Sequence, residues 1–227
     1  MQQKVNKLKK YYPVLLKSPL FHGILEKDLE SMLSCLNARA AGYAGDSVVF
    51  LAGATAERVG LVLEGAVQVV REDIFGNRAI LTALMPGQLF GETFACAGVE
   101  ILPVSVIAVS DCKILLLDYR RIITTCPTAC VFHSRLIENM LKILAGKNLV
   151  LNQKIEALSA RTTREKLLAY LVAQAGVAGS RRFTIPSTRQ ELADYLSVDR
   201  SALSREMGIM QKEGMIRFKK NCFELTW

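Results

Sequence analysis

The hydrophobic positions of this chain change their spacing along its length, and each regime predicts a different kind of structure. Between residues 11 and 38 the spacing suits short helices. Pro19-Leu-Phe-His-Gly23 reads as a turn, and residues 27–36 place Leu29, Leu33 and Leu36 on one helical face. From residue 43 to 117 the pattern becomes short, β-branched-rich runs at 47–51, 59–63, 66–71, 79–83, 104–109 and 113–117. Gly53, Gly65, Gly76-Asn77, Pro86-Gly87 and Gly98 stand between them as turn residues. Many short strands at this spacing predict a roll or barrel rather than a parallel sheet.

After Pro127 the period becomes helical for more than thirty residues. Ile137, Leu141, Leu144, Asn148, Leu151, Ile155 and Leu158 follow a strict 4-3-4-3-4-3 spacing, the pattern of a coiled-coil seam with Asn148 at an a-type position. A helix packed inside its own domain usually shows a wider apolar face, so the narrow seam favours a homodimer helix. A buried Asn148 would fix its register. The alternative is an ordinary amphipathic helix with a solvated break at Asn148. Residues 163–175 form another amphipathic helix, with Leu167, Leu168, Leu171 and Val172. Gly176-Val-Ala-Gly-Ser180 reads as a linker and Phe183-Thr-Ile-Pro186 as a short strand.

The C-terminal third carries the most specific local chemistry. Thr188-Arg-Gln-Glu191 is a capping box opening a helix through Leu192, Ala193 and Leu196. The chain then turns at Ser197-Val198 and restarts at Asp199, an N-cap residue. The second helix carries Leu203, Met207 and Met210 on its inner side and Arg200, Ser201, Ser204 and Arg205 on its outer side. Two short helices joined by a tight turn make a helix-turn-helix, and arginines near the start of its second helix can read guanine in a major groove. The basic run from Arg217 to Leu225 reads as a hairpin wing, with Lys219 as a phosphate contact. Thr188, Arg189 and Gln190 at the first helix complete the expected DNA-binding set.

Charge placement supports this division. Residues 1–20 carry +5, residues 21–153 carry −2, and residues 154–227 carry +5, within a net +8. A slightly acidic body with a basic C-terminal third suits one module for a small partner and another for a polyanion. The expected fold is α+β in three parts. Residues 1–126 form an effector-binding β-roll with flanking helices, 127–160 the dimerisation helix, and 161–227 a winged helix-turn-helix. Half of the 227 residues (51%) are hydrophobic and 22% are charged, which excludes disorder. The most apolar stretch, residues 101–117, is broken by Asp111 and Lys113, well short of the roughly 20 residues of a membrane span. Residues 11–16 are too brief for a secretory signal, so a soluble, cytoplasmic chain with no membrane partner is expected. The six cysteines are irregularly spaced and read as reduced thiols, with the Cys126/Cys130 pair a weak metal or redox signal.

Two stretches carry a family resemblance: Pro86-Gly-Gln-Leu-Phe-Gly-Glu92, and Thr188-Arg-Gln-Glu191 with Val198-Asp-Arg-Ser201 and Ser204-Arg205. With the order of roll, long helix and winged helix-turn-helix, the chain resembles the cyclic-AMP receptor protein/Fnr (Crp/Fnr) family of bacterial transcription regulators over about residues 15–227. The resemblance implies a homodimer on two-fold symmetric duplex DNA, RNA polymerase as a partner, and an effector bound at the roll. In cyclic-AMP-binding members a Gly-Glu pair opens a short helix that holds the cyclic phosphate and ribose. Gly91 and Glu92 match it, with Thr93 beside them, Thr82 in their neighbourhood, and Asn148 on the long helix completing the candidate pocket. About ten residues on, those members place an Arg-Ser or Arg-Thr that neutralises the phosphate. Leu102 and Pro103 stand there in this chain, and neither side chain can pair with a phosphate. Cyclic AMP therefore does not fit.

Fnr-type iron–sulfur sensors resemble one another in an N-terminal cysteine cluster, whereas the first cysteine here is Cys35. Haem-binding relatives use an axial histidine where this chain has Ala95-Cys96-Ala97, and its two histidines, His22 and His133, are expected to be structural or solvent-facing. Cys96 is left as a candidate thiol switch or a buried small hydrophobe, and the effector is unidentified. Many family members have glycine in the helix-turn-helix turn, where Ser197 stands here; serine tolerates that geometry at modest cost. Two other function classes compete with this one. An enzyme using the roll as its active site lacks a GxSxG, HExxH or GxxxxGK[ST] motif. A sensor acting on a protein or RNA partner would use the same basic C-terminus.

Overall fold

The computed structural model describes residues 8–73, 75, 77–124 and 131–227, so Gly76 and the Cys126/Cys130 pair lie outside the described residues. The chain divides into two compact units, Met1–Leu144 and Ala145–Trp227.

In the first unit, helix α1 (Tyr12–Lys17) and α2 (Glu26–Cys35) precede the strands. Leu29, Met32 and Leu33 of α2 are fully buried, with Leu36 behind them, which matches the one-sided spacing in the sequence. The strands are β1 (Arg39–Tyr43), β2 (Val48–Phe50), β3 (Arg58–Glu64), β4 (Val67–Glu72), β5 (Arg78–Leu84) and β6 (Leu89–Phe90). Helix α3 (Glu92–Cys96), strands β7 (Ser105–Ala108) and β8 (Cys112–Asp118) and helix α4 (Tyr119–Ile123) follow. They form two antiparallel four-stranded sheets, β1-β8-β3-β6 and β2-β7-β4-β5. All six expected runs are strands.

The period-2 pleat sorts the side chains of β3 and β8 between two cores. Val62 and Ile114 pack with Phe90, Val67, Val106 and Ala108 between the sheets. Val59, Leu61, Leu63, Leu115 and Leu117 face the helices, where Leu136 and Met140 of α5 (Val131–Ser159) join them. Both faces of β3 are covered, so its sequence reads as a continuous apolar run rather than an alternation. Gly60 is obligatory in this strand: a Cβ there would lie 2.1 Å from Cζ of Phe90. That ring sits edge-on to Phe50, with centroids 5.1 Å apart.

Along α5, the seam residues Leu141, Leu151 and Ile155 are each about 60% exposed within the single chain. Ile137, Leu144 and Leu158 are half-buried. Asn148 is exposed, and its Oδ1 accepts from Asn152 Nδ2 at 2.8 Å.

The second unit continues with α6 (Thr163–Ala178), β9 (Arg182–Thr184), α7 (Arg189–Leu196), α8 (Arg200–Lys212), β10 (Ile216–Lys219) and β11 (Cys222–Leu225). Its core joins Leu167 and Leu171 to Leu192, Leu203, Met207 and Phe223. The linker expected at 176–180 is corrected by the structure. Gly176, Val177 and Ala178 belong to α6, because the left-handed residue that ends the helix is Gly179, with φ 60°. The amides of Gly179 and Ser180 close back onto the carbonyls of Gly176 and Ala175. Glycine inside a helix costs only about 1 kcal/mol relative to alanine, which α6 tolerates at Gly176.

Candidate functional site

The capping box at α7 forms on both sides. Thr188 Oγ1 accepts from the Glu191 amide at 3.3 Å, and the Glu191 carboxylate accepts from the Thr188 amide at 2.7 Å. These bonds hold the Glu191 carboxyl below its ordinary pKa, the backbone bond contributing most. Helix α7 ends at Ser197, which takes the left-handed geometry at φ 50°, ψ 56°. Val198 N closes the turn onto Ala193 O at 3.0 Å. Asp199 occupies the N-cap of α8, but its side chain caps no helix amide. Its carboxylate instead accepts from the Ser201 hydroxyl at 3.2 Å.

Leu203, Met207 and Met210 of α8 are fully buried, while Arg200, Ser201, Ser204 and Arg205 are all exposed. At about 100° per residue those four span an arc of roughly 140°. Neither arginine is ion-paired among the described residues. Thr188, Gln190 and Lys219 are also exposed, and Gln190 Nε2 donates to Asp194 Oδ1 at 2.9 Å. Strands β10 and β11 form the expected hairpin, pairing Lys219 with Cys222 and Arg217 with Glu224. Lys220 at its tip carries a φ of 54°.

Arg189 is placed differently from the other members of the set. Its guanidinium lies 5.1 Å from the ring centroid of Phe218 and 5.2 Å from that of Phe223, and Nη2 donates to Lys220 O at 2.8 Å. Burial lowers its pKa from the usual arginine value. The side chain therefore braces α7 against the wing.

A second brace was not legible in the sequence. Arg164 of α6 bonds Glu206 of α8 and Glu213 at its C-cap, and Lys166 Nζ donates to Leu196 O at 3.2 Å. These partners are separated by thirty or more residues, beyond any local pattern.

At the roll, Gly91 sits at φ 80°, where a Cβ would meet Phe50 at 3.0 Å and Arg58 O at 3.1 Å. It leads into α3, where Glu92 is 1% exposed and accepts from the Thr93 hydroxyl at 3.1 Å. Leu102 is buried, and its backbone is tied to the loop after β2 through Gly53 N and Ala54 O, at 2.9 and 2.8 Å. Pro103 is exposed, as is Thr82 on β5. Asn148 belongs to the other unit.

Cys96 is half-buried, and burial together with the nearby Glu92 pushes its thiol up, away from the reactive thiolate. His133 is 3% exposed, and its Nε2 donates to Arg121 O at 3.0 Å. His22 is exposed. Among the described residues no three His, Cys, Asp or Glu side chains group as a metal site, and no helix is long and apolar enough to cross a membrane.

Two family models match the chain: the cyclic nucleotide-binding domain over residues 42–127 and the Crp-like helix-turn-helix domain over residues 165–226. The cyclic AMP receptor protein of Thermus thermophilus is 26% identical over 211 residues, covering 92% of each chain. The crystal structure of the Thermus thermophilus catabolite activator protein aligns with a TM-score of 0.50 at 25% identity, covering 92% of this chain and 93% of that one. A putative cyclic nucleotide binding protein from Ruegeria pomeroyi shares the fold, with a TM-score of 0.51 at 21% identity over 96% of this chain and 94% of its own. The Thermus thermophilus relatives are regulators rather than enzymes, in line with the missing catalytic motifs. With a cyclic nucleotide-binding-type roll and a Crp-like helix-turn-helix in one chain, the protein belongs to the Crp/Fnr family of DNA-binding transcription regulators.

Proposed function

We propose that the protein acts in the cytoplasm as a homodimer on two-fold symmetric duplex DNA, under control of an effector other than cyclic AMP. Residues 1–126 serve as the effector module, 127–160 as the dimer helix and 161–227 as the DNA-binding module. The observation that carries this reading is the exposed arc of Arg200, Ser201, Ser204 and Arg205 on a helix whose opposite side is core. Arg200 and Arg205 read base edges, while Thr188, Gln190 and Lys219 hold phosphates. Arg189 is left out of that set because its guanidinium is already engaged by two rings and a carbonyl. RNA polymerase is the downstream partner implied by family membership.

Replacement of the phosphate-neutralising pair by Leu102 and Pro103 supports a more apolar effector, since a buried anion with no cationic partner is strongly disfavoured. Support for dimerisation comes from the exposed seam residues Leu141, Leu151 and Ile155 of α5, on either side of Asn148. The test begins with selection of duplexes from a random pool. A recovered palindrome, with Arg205→Ala costing about 1–3 kcal/mol there, supports the reading. Absence of sequence preference refutes it. Calorimetry should find no micromolar cyclic AMP binding by the native chain, and gain of affinity in the Leu102→Arg, Pro103→Ser double variant.

A further inference from the structure

Base reading requires more than exposed arginines; the helix that carries them must meet the groove in one attitude. The brace from α6 bears directly on that attitude. Arg164 Nε donates to Glu206 Oε1 at 2.5 Å, while Nη1 and Nη2 reach the two Glu213 oxygens at 2.9 and 3.0 Å. Glu206 of α8 and Glu213, which caps the helix just past Lys212, lie two helical turns apart on one face, and a separation of seven residues is about 10 Å along the axis. By the same rotation, that face lies roughly opposite the arc from Arg200 to Arg205.

One ion pair would leave the helix free to pivot about a point. A planar fork gripping two carboxylates a turn or more apart fixes its direction as well. Arg164 is itself well anchored, inside the first turn of a helix capped by Thr162 and Glu165. Two residues on, Lys166 bonds the carbonyl of Leu196, the last residue of α7. The first turn of α6 thus holds both helices of the helix-turn-helix from behind.

We infer that Arg164 is a positioning residue for DNA reading: its grip on Glu206 and Glu213 sets the attitude of α8, and sequence discrimination depends on it more than affinity for DNA does. This inference rests on the DNA-binding reading above. Loss of the grip lets the helix settle at several angles. Phosphate attraction survives that change, whereas bidentate base contacts do not.

The test uses the full chain, a duplex selected by the native protein and a scrambled duplex of equal length. Binding is followed by fluorescence anisotropy at a temperature where circular dichroism shows each variant folded. Arg164→Gln should weaken binding to the selected duplex about tenfold, the value of one charge-assisted hydrogen bond, and leave the scrambled duplex within about twofold. Arg164→Lys should restore part of the discrimination. Adding Arg164→Gln to Glu206→Gln, Glu213→Gln should cost nothing further, because the grip is already gone. A folded Arg164→Gln variant with an unchanged selected-to-scrambled ratio overturns the inference. So does a parallel loss on both duplexes. If Arg164→Gln does not fold, the two glutamate variants, each removing one arm of the grip, decide the matter by the same ratio. A native protein that shows no preference for any duplex instead refutes the DNA-reading assignment itself.

Discussion

Removing the side chain of Arg189 should damage the fold of the winged module before it damages DNA contact. Arg189→Ala deletes two cation–π contacts, at 5.1 and 5.2 Å, and one charged hydrogen bond to Lys220 O at 2.8 Å. Each cation–π contact is worth about 0.5–1 kcal/mol at a partly exposed site. The hydrogen bond adds roughly 1 kcal/mol once solvent exposure of the tip is allowed for. The total is about 2–3 kcal/mol. With a urea slope of about 1–3 kcal/mol per molar, the midpoint should fall by about 0.7–3 M. The chain has one tryptophan, Trp227, which lies in the C-terminal unit, so its fluorescence reports this unit selectively. Arg189→Lys keeps the charge but lacks the flat fork that stacks on rings, and should fall between the two. An Arg189→Ala variant with a native urea midpoint and a large loss of DNA affinity would refute the bracing role and return Arg189 to the DNA surface.

Other expectations concern the roll and the helix caps. Gly60→Ala drives a methyl into the Phe90 ring, 2.1 Å from Cζ, and should destabilise the roll by about 1–3 kcal/mol. In a Phe90→Leu background the same change should cost at least 0.5 kcal/mol less, measured by urea denaturation followed by far-UV circular dichroism, which sees the strands of the roll, and equal costs would refute the clash, since touching residues couple by about that much or more. The carboxyls of Glu165 and Glu191 are held below the ordinary 4.5 by their capping bonds, chiefly to the backbone amides of Thr162 and Thr188. A depressed carboxyl stabilises the fold above that value and loses its contribution as the pH falls below it. The Trp227 urea midpoint should therefore drop on acidification below about pH 4.5, and the Glu165→Gln, Glu191→Gln variant should show a lower midpoint at neutral pH with a flatter acid response.

What could be read from the chain was whatever is local in sequence. The helix-turn-helix depends on a cap three residues from its partner, a turn of two residues and a spacing of three or four, and all of these are visible in a short window. Strands β3 and β8 were visible because burial on both faces or one forces β-branched and aliphatic residues into them, whereas β5, exposed from Arg78 to Ala83, was visible from its aliphatic residues alone. Strand β1 was not, because Arg39-Ala-Ala-Gly-Tyr43 has no β-branched residue and is held only by pairing with β8. Strand β6 is two residues long and hides inside a turn-rich motif. The contacts of Arg189 were not legible because Phe218 and Phe223 lie about thirty residues away. Arg164 escaped notice for the same reason: its partners are 42 and 49 residues downstream.

The cores of the roll and of the winged module share no residue among those described. Mutations that reshape one interior therefore leave the other's side-chain packing untouched, and their effects on stability should add. A change at Leu102 or Pro103 of the roll leaves the core beneath α7 and α8 as it is. On the function proposed above, innovation in what is sensed and innovation in which genes answer are then separate heritable events.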